Sequence, residues 1–471
     1  MIVPRSRLLL WVAAVVLPFS LVAALVPSAA IFSIAAIALL AALVVADAFG
    51  ARASLAGISV ELPEIFRMSK DREAKLELRI RNEHLQPKTV RLGLALPREL
   101  ESSYDDAFVA LPQETEWSRF NWTCVPRTRG RFQLGTVHLE TASPFGFWSM
   151  RKRLPADSEI RVYPNLFEER KHLAALFLHR GAFGLHAQRQ VGKGREFEKL
   201  REYVPGDGYD EIHWKATARR GRPITKVFQI ERTQEVYVIV DASRLSARSV
   251  ASSPVKPSPC DPVATANDSD SSQTHARTST PAVSTALERF VTAALILGLA
   301  AEQQGDLFGL LTFSDKIGTF VRAKNGKAHY SACRDALYTL GSQIVTPDFD
   351  EVCSFIRLRL RRRALLVFLT SLDDPVVAES FVRNIDLIRH QHLILVNMLQ
   401  PPDVAPVFTN PNVQTVDDLY QQLGGHLLWQ KLRELEKTLQ RRGVRFSLLA
   451  NERLSAELVS QYLSVKQRQL I

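Results

Sequence analysis

The sequence predicts a multidomain chain. An N-terminal two-helix transmembrane hairpin leads into a small antiparallel β-sandwich, and an α/β doubly wound sheet completes it. Three observations predict this order. Two uncharged apolar runs, residues 8–26 and 29–46, are separated only by Pro27-Ser28. Short segments with period-two alternation come next, and beyond Glu235 strand-like and helix-like segments alternate. The expected parts are a hairpin over 1–52, a sandwich over 53–165, a connecting region over 166–232 and an α/β domain over 233–471.

Each apolar run is close to the ~20 residues that a helix needs to cross ~30 Å of hydrocarbon. A cleaved signal peptide is the rival for the first run, and Ser28-Ala29-Ala30 offers small residues at a cleavage position. That reading leaves the second run unexplained. Arg5 and Arg7 precede the first run, Arg52 follows the second, and the loop between them is uncharged. The positive-inside rule then places both ends in the cytoplasm, with residues 54–471 on the cytoplasmic face of the membrane. Neither run contains a charge, so the hairpin reads as an anchor rather than an ion or proton pathway.

The 471 residues include 60 Lys+Arg and 49 Asp+Glu, a net charge of +11 that suits an anionic bilayer surface without requiring nucleic acid. A hydrophobic content of 46% excludes wholesale disorder. The four cysteines form no CxxC pair, which argues against a disulfide framework or a structural zinc site.

In the sandwich region, residues 74–81, 89–96, 117–125 and 135–141 read as strands separated by turn residues such as Asn82, Pro97, Gly130 and Pro144. Trp117 and Trp122 suit its core better than a carbohydrate-binding face. A helix is expected over 168–179, followed by a dense polar stretch over 192–231. The α/β pattern then runs strand 235–240, helix 285–304, strands 306–313 and 317–321, and helices 328–340 and 349–362. Strand 364–370, helix 375–390, strand 392–399, helix 417–442 and a last strand 444–449 complete it. Residues 247–282 lack Leu, Ile, Phe, Tyr and Trp and read as a disordered surface insertion.

No Walker A, HExxH or GxSxG motif occurs, and His172, His179 and His186 recur every seven residues, a spacing that does not suit a metal cluster. Arg357, Arg359 and Arg361–Arg363 form a basic run that reads as a solvated face. The strongest local signal is Asp241-Ala-Ser243-Arg-Leu245 directly after the first α/β strand. A carboxylate and hydroxyls at alternate positions of a strand-end loop can hold a hard divalent cation. With Thr346 and Asp373, the set resembles the metal-ion-dependent adhesion site of von Willebrand factor type A domains. Leu245 stands where that pattern has a second Ser, so the site is degraded. Weak magnesium binding is the expectation, with a gain on Leu245→Ser. In the competing reading Asp241 and Ser243 only cap the loop.

The polar stretch carries a longer pattern. Gly194, Glu196, Phe197, Leu200, Arg201, Tyr203, Pro205, Gly206 and Asp207 lead to Ile212, Trp214, Lys215, Ala216 and Arg219. Glu231-Arg232 and the strand into Asp241-Ala-Ser243 follow. This order resembles the signature of the bacterial domain-of-unknown-function family 58. Asp210 and His213 depart from it in minor ways, and the upstream segments 129–132 and 143–147 resemble the family too. The resemblance implies a membrane-anchored, von Willebrand A-like, non-enzymatic protein-interaction scaffold. It also implies a MoxR-type AAA+ ATPase partner and a role in assembling or activating other complexes. A metal-dependent hydrolase using Asp241 and Asp373 is the alternative. Physically, the mixed charges around Tyr203 and Trp214 suit either an ion-pair network locking two domains or a docking surface, not a nucleic-acid patch.

Overall fold

The computed structural model describes residues 1–85, 88–181, 191–204, 208–229, 234–250, 284–401, 404–406 and 415–468. The chain divides into two compact units, Met1–Asn165 and Leu166–Ile471.

The first unit opens with a short strand, β1 (Ile2–Pro4), that the sequence does not announce because three residues carry no periodicity. Helices α1 (Ser6–Leu25) and α2 (Ala30–Ala53) follow, joined by a turn at Pro27–Ala29. Both are long and apolar enough to cross a membrane, and nearly all of their side chains face outward. The helix α2 continues past the end of the uncharged run, so Asp47 and Arg52 lie inside it.

The sandwich strands are β2 (Ile58–Glu61), β3 (Ile65–Ser69), β4 (Ala74–Asn82), β5 (Lys88–Leu94) and β6 (Leu100–Ser102). They continue with β7 (Asp106–Leu111), β8 (Trp117–Pro126), β9 (Gly130–Ala142) and β10 (Trp148–Tyr163). One sheet runs β1-β10-β9-β5-β7, with β3 added in parallel to β10, and the other runs β2-β4-β8-β6. Alternate residues point inward, as the period-two pattern requires. Leu76, Leu78 and Ile80 of β4 share a core with Val90, Leu92, Leu139 and Ile160. Trp122 is fully buried there, and its indole donates to Ser102 Oγ at 2.7 Å. Trp117, expected to share that core, is exposed because it lies five residues from Trp122 along β8 and so on the opposite face of the strand.

The second unit begins with α3 (Phe167–Gly181). The polar stretch is not a linker but a folded piece. Strands β11 (Val191–Glu202) and β12 (Ile224–Gln229) pair antiparallel around the short helix α4 (Trp214–Arg220). Next come β13 (Glu235–Asp241) and the two-residue pair β14 (Ser249–Val250) and β15 (Ser284–Thr285). That pair brackets residues 251–283, so most of the expected insertion lies outside the described residues. The rest is α5 (Ala286–Gln303), β16 (Leu307–Phe313), β17 (Ile317–Lys324), α6 (Lys327–Leu337) and α7 (Phe349–Arg359). It is followed by β18 (Leu365–Leu369), α8 (Pro375–Asn384), β19 (Leu393–Leu399), α9 (Val416–Arg441), β20 (Arg445–Leu449) and α10 (Leu454–Gln467).

The sheet order is β17-β16-β13-β18-β19-β20, parallel except for β17. Its four central strands, β16, β13, β18 and β19, are buried on both faces. Val236, Val238 and Val240 meet α5, α6 and α10 on one side, while Tyr237 and Ile239 meet α7, α8 and α9 on the other. This is the doubly wound, von Willebrand A-like arrangement. Three expected helices end three or more residues early, and α6 stops at Leu337. The helix α7 stops at Arg359 because Leu360 turns extended, and α8 yields to a tighter turn at Ile385–Leu387. The last strand stands where expected, as β20, and beyond it α10, a helix not among the expected elements, buries Leu454, Leu458, Val459, Tyr462 and Val465. Their spacing is helical and readable.

Candidate functional site

The strand β13 lies between β16 and β18, and the chain leaves it toward β16 before returning to β18. Its carboxyl end is therefore a topological switch point, where doubly wound sheets place ligands. Asp241 is the last residue of β13 and is fully buried. Its Oδ1 accepts from Ser243 N at 2.8 Å and its Oδ2 from Thr370 Oγ1 at 2.6 Å. Burial raises the Asp241 pKa, and these hydrogen bonds oppose the rise. Ser243 caps a single turn at Arg244–Ala247, its Oγ accepting from Leu245 N at 3.4 Å. Ser246 Oγ turns back to donate to Ser243 O at 2.7 Å.

Leu245 does not face the loop mouth. It is buried in the core that holds Phe349 and Phe381. Asp373 sits after β18 as expected, but Arg248 pairs with one of its oxygens, and Oδ1 is buried with no hydrogen-bond partner among the described residues. Arg244 lies 3.6 Å from Asp374, which caps α8 through Val376 N at 3.0 Å. Thr346 is exposed. Its neighbour Val345 accepts from Arg244 N at 3.0 Å, and Gln343 N donates to Ala242 O at 2.7 Å, so the two loops do meet.

Magnesium requires about six oxygens in near-octahedral array. Both oxygens of Asp241 already accept from protein donors, residue 245 offers none, and a guanidinium occupies Asp373. Among the described residues no group of three His, Cys, Asp or Glu is placed to hold a metal. The donor set does not fit magnesium, and the loop reads as a closed hydrogen-bonded corner. Two residues of this corner escaped the sequence reading. Thr370 is aligned with Asp241 by the parallel register Val240↔Leu369, a pairing that only the sheet order reveals. Arg248 falls at the edge of the expected insertion, in a Ser-rich context that hides it.

The signature segment builds a second surface. Glu196 and Phe197 lie in β11, opposite Gln229 and Phe228 of β12, and Arg201 lies opposite Thr225. Tyr203 N donates to Pro223 O at 3.0 Å, and the Tyr203 and Tyr209 rings stack at 6.4 Å. His213 caps α4, its ring nitrogen accepting from Ala216 N at 3.0 Å, and Gly221 at φ 65 ends it in the left-handed conformation. Ile224 N donates to Thr217 Oγ1 at 3.0 Å, tying α4 to β12. Trp214 is 68% exposed, and Leu200, Arg201, Lys215 and Arg219 are exposed too. Trp214 is thus an exposed aromatic beside Lys215, Arg219 and Arg220. Pro205, Gly206 and Asp207 lie outside the described residues, as do Glu231 and Arg232.

Elsewhere on this unit, α9 leaves Val416, Leu419, Tyr420, Leu423 and Leu427 exposed at three- and four-residue spacing. Arg359, Arg361 and Arg362 of the basic run line a depression of about 440 Å³ with Glu235, Tyr237 and Phe320. It lies at the amino end of β13, opposite Asp241.

No curated protein matches the sequence. Among solved structures, an aerotolerance-related membrane protein from Bacteroides fragilis NCTC 9343 is similar at 12% identity, over 50% of this chain and 100% of that one, with a TM-score of 0.27. BatB from Bacteroides thetaiotaomicron is similar at 13% identity, over 50% and 99%, with a TM-score of 0.26. The SpRpn10 VWA domain is similar at 8% identity, over 49% and 95%, with a TM-score of 0.26. The fold assignment rests on the strand order given above. The family model described as protein of unknown function DUF58 matches residues 199–254 and 264–407. That match takes in the end of the signature, the Asp241 corner and the sheet as far as β19, so this part of the chain is similar to the DUF58 family.

Proposed function

We propose that the protein is a non-enzymatic interaction scaffold anchored in the bacterial inner membrane, with its folded bulk in the cytoplasm. Its partner in this reading is a MoxR-type AAA+ ATPase, and the pair acts in assembling or activating other complexes. The observation that carries the proposal is the exposed apolar surface of the second unit. Trp214 stands among Lys215, Arg219 and Arg220, and α9 presents its stripe from Val416 to Leu427. Exposed apolar groups in such contiguous sets mark interaction sites. Aromatic residues beside arginine are also frequent binding hot spots. The orientation follows from Arg5, Arg7 and Arg52 at the ends of the hairpin.

The hydrolase alternative finds no support in the Asp241 corner, whose carboxylates are engaged by Thr370, Ser243 and Arg248. The test is binding of a purified MoxR-type ATPase from the same organism to the full chain in lipid nanodiscs, with ATP present. Trp214→Ala is expected to weaken binding by about tenfold or more. Absence of binding to the wild-type chain overturns the partner assignment.

A further inference from the structure

The segment from Ser143 to Trp148 joins β9 to β10 and contains Pro144, Phe145, Gly146 and Phe147. It grips the end of α2. Asp47, almost fully buried, accepts from Ser143 Oγ at 2.5 Å, Phe145 N at 3.0 Å and Phe147 N at 3.1 Å. The Trp148 indole donates to Val44 O at 3.0 Å, and Arg5 N donates to Phe147 O at 2.9 Å. A Cβ at Gly50 would lie 3.4 Å from Pro144, so the turn lies close against the helix. One turn of the sandwich therefore holds both legs of the hairpin at a single level.

That level is informative. At about 1.5 Å per residue, Asp47 stands about 26 Å along the helix from Ala30, close to the ~30 Å thickness of hydrocarbon. It is also where the uncharged run ends. Phe145, bonded to Asp47 through its amide, is 61% exposed. Phe49 is exposed as well, with the Arg52 guanidinium over its ring at 5.4 Å, and Arg7 lies beside Gly146. Exposed aromatics mixed with arginines, at the depth where the apolar run stops, match the interfacial layer of a bilayer with anionic headgroups.

We infer that the 143–148 turn is a membrane seat. Clasped to Asp47, it rests in the interfacial layer of the leaflet with Phe145 against the lipid, and so fixes the sandwich on the membrane surface. The inference rests on the hairpin reading. The occupant is the bilayer itself.

The test uses the full chain in vesicles of phosphatidylethanolamine and phosphatidylglycerol, part of them with brominated acyl chains. A fluorophore is attached, in a Cys260→Ser background, to Leu39→Cys within α2, to Phe145→Cys, or to Phe108→Cys on β7. Quenching by bromine is expected for the first two and not for Phe108→Cys. Adding Asp47→Ala is expected to reduce quenching at position 145 at least twofold and to leave position 39 unchanged. Quenching at 39 but not at 145 overturns the seat and leaves the anchor standing. No quenching at 39 overturns both. Undiminished quenching at 145 with Asp47→Ala overturns the clasp.

Discussion

Asp241 places a carboxylate in a fully buried site, and its behaviour with pH follows from that. Burial raises its folded pKa above the ordinary carboxylate value. The folded state then binds the proton more tightly than the unfolded chain. The associated stability is fully present below the unfolded pKa and is lost as pH rises through the folded one. Asp241→Asn carries no charge at any pH, and its amide oxygen can still accept from Ser243 N. Its urea midpoint is expected to gain on wild type as pH is raised from about 4 to about 8. Asp241→Ala leaves the Ser243 amide and the Thr370 hydroxyl without an acceptor, a loss of about 1–3 kcal/mol for each. Leu245→Ser, expected from the sequence to rebuild a cation ligand, instead opens the core around Phe349. A destabilisation of about 2–5 kcal/mol is predicted in denaturant titration, with no magnesium uptake in calorimetry. The carboxylate was legible because it ends an apolar strand. Its partners were not, since Thr370 is 129 residues away and meets it only through strand register.

Elements divide by how loudly their periodicity speaks. The alternation of β4 and the apolar run of β13 identify themselves, and both appear within a residue of their expected bounds. The strands β11 and β12 do not, because their charges of both signs mask the period that pairing imposes. The helix α10 has a readable apolar spacing and a polar pin as well. Asp306 accepts from Gln234 N at 3.1 Å, from Tyr462 and from Lys466 at 2.8 Å. Truncation after Leu449 uncovers the α5 face of the core and is expected to yield aggregated protein on size-exclusion chromatography. At the other extreme, Val250 and Ser284 are directly paired across β14 and β15. Replacing residues 251–283 by a two-residue glycine-containing turn is therefore expected to change stability by less than about 1 kcal/mol, or about 2–4 °C in Tm. A larger loss in a thermal melt would show that the segment packs on the domain.

For the molecule as a whole, a reporter fused at Ile471 is expected to be active only if it works in the cytoplasm. Activity of a periplasm-only reporter at that position would reverse the topology. The sequence carried the hairpin and the α/β order plainly, since long apolar runs and strand–helix alternation survive without context. It was silent on β1, whose three residues gain meaning only beside Trp148–Met150 of β10. That pairing has a consequence for how the protein is made. The strand β1 emerges from the ribosome well before its partner, with both membrane helices in between. The edge of the sandwich can close only after the hairpin has turned and brought the two ends back to the same side. A nascent chain whose hairpin stalls before the second helix crosses is left with an open sheet edge at β10, the kind of edge that quality-control proteases and aggregation both act on. Correct insertion thus becomes a checkpoint for maturation of the domains that follow the hairpin.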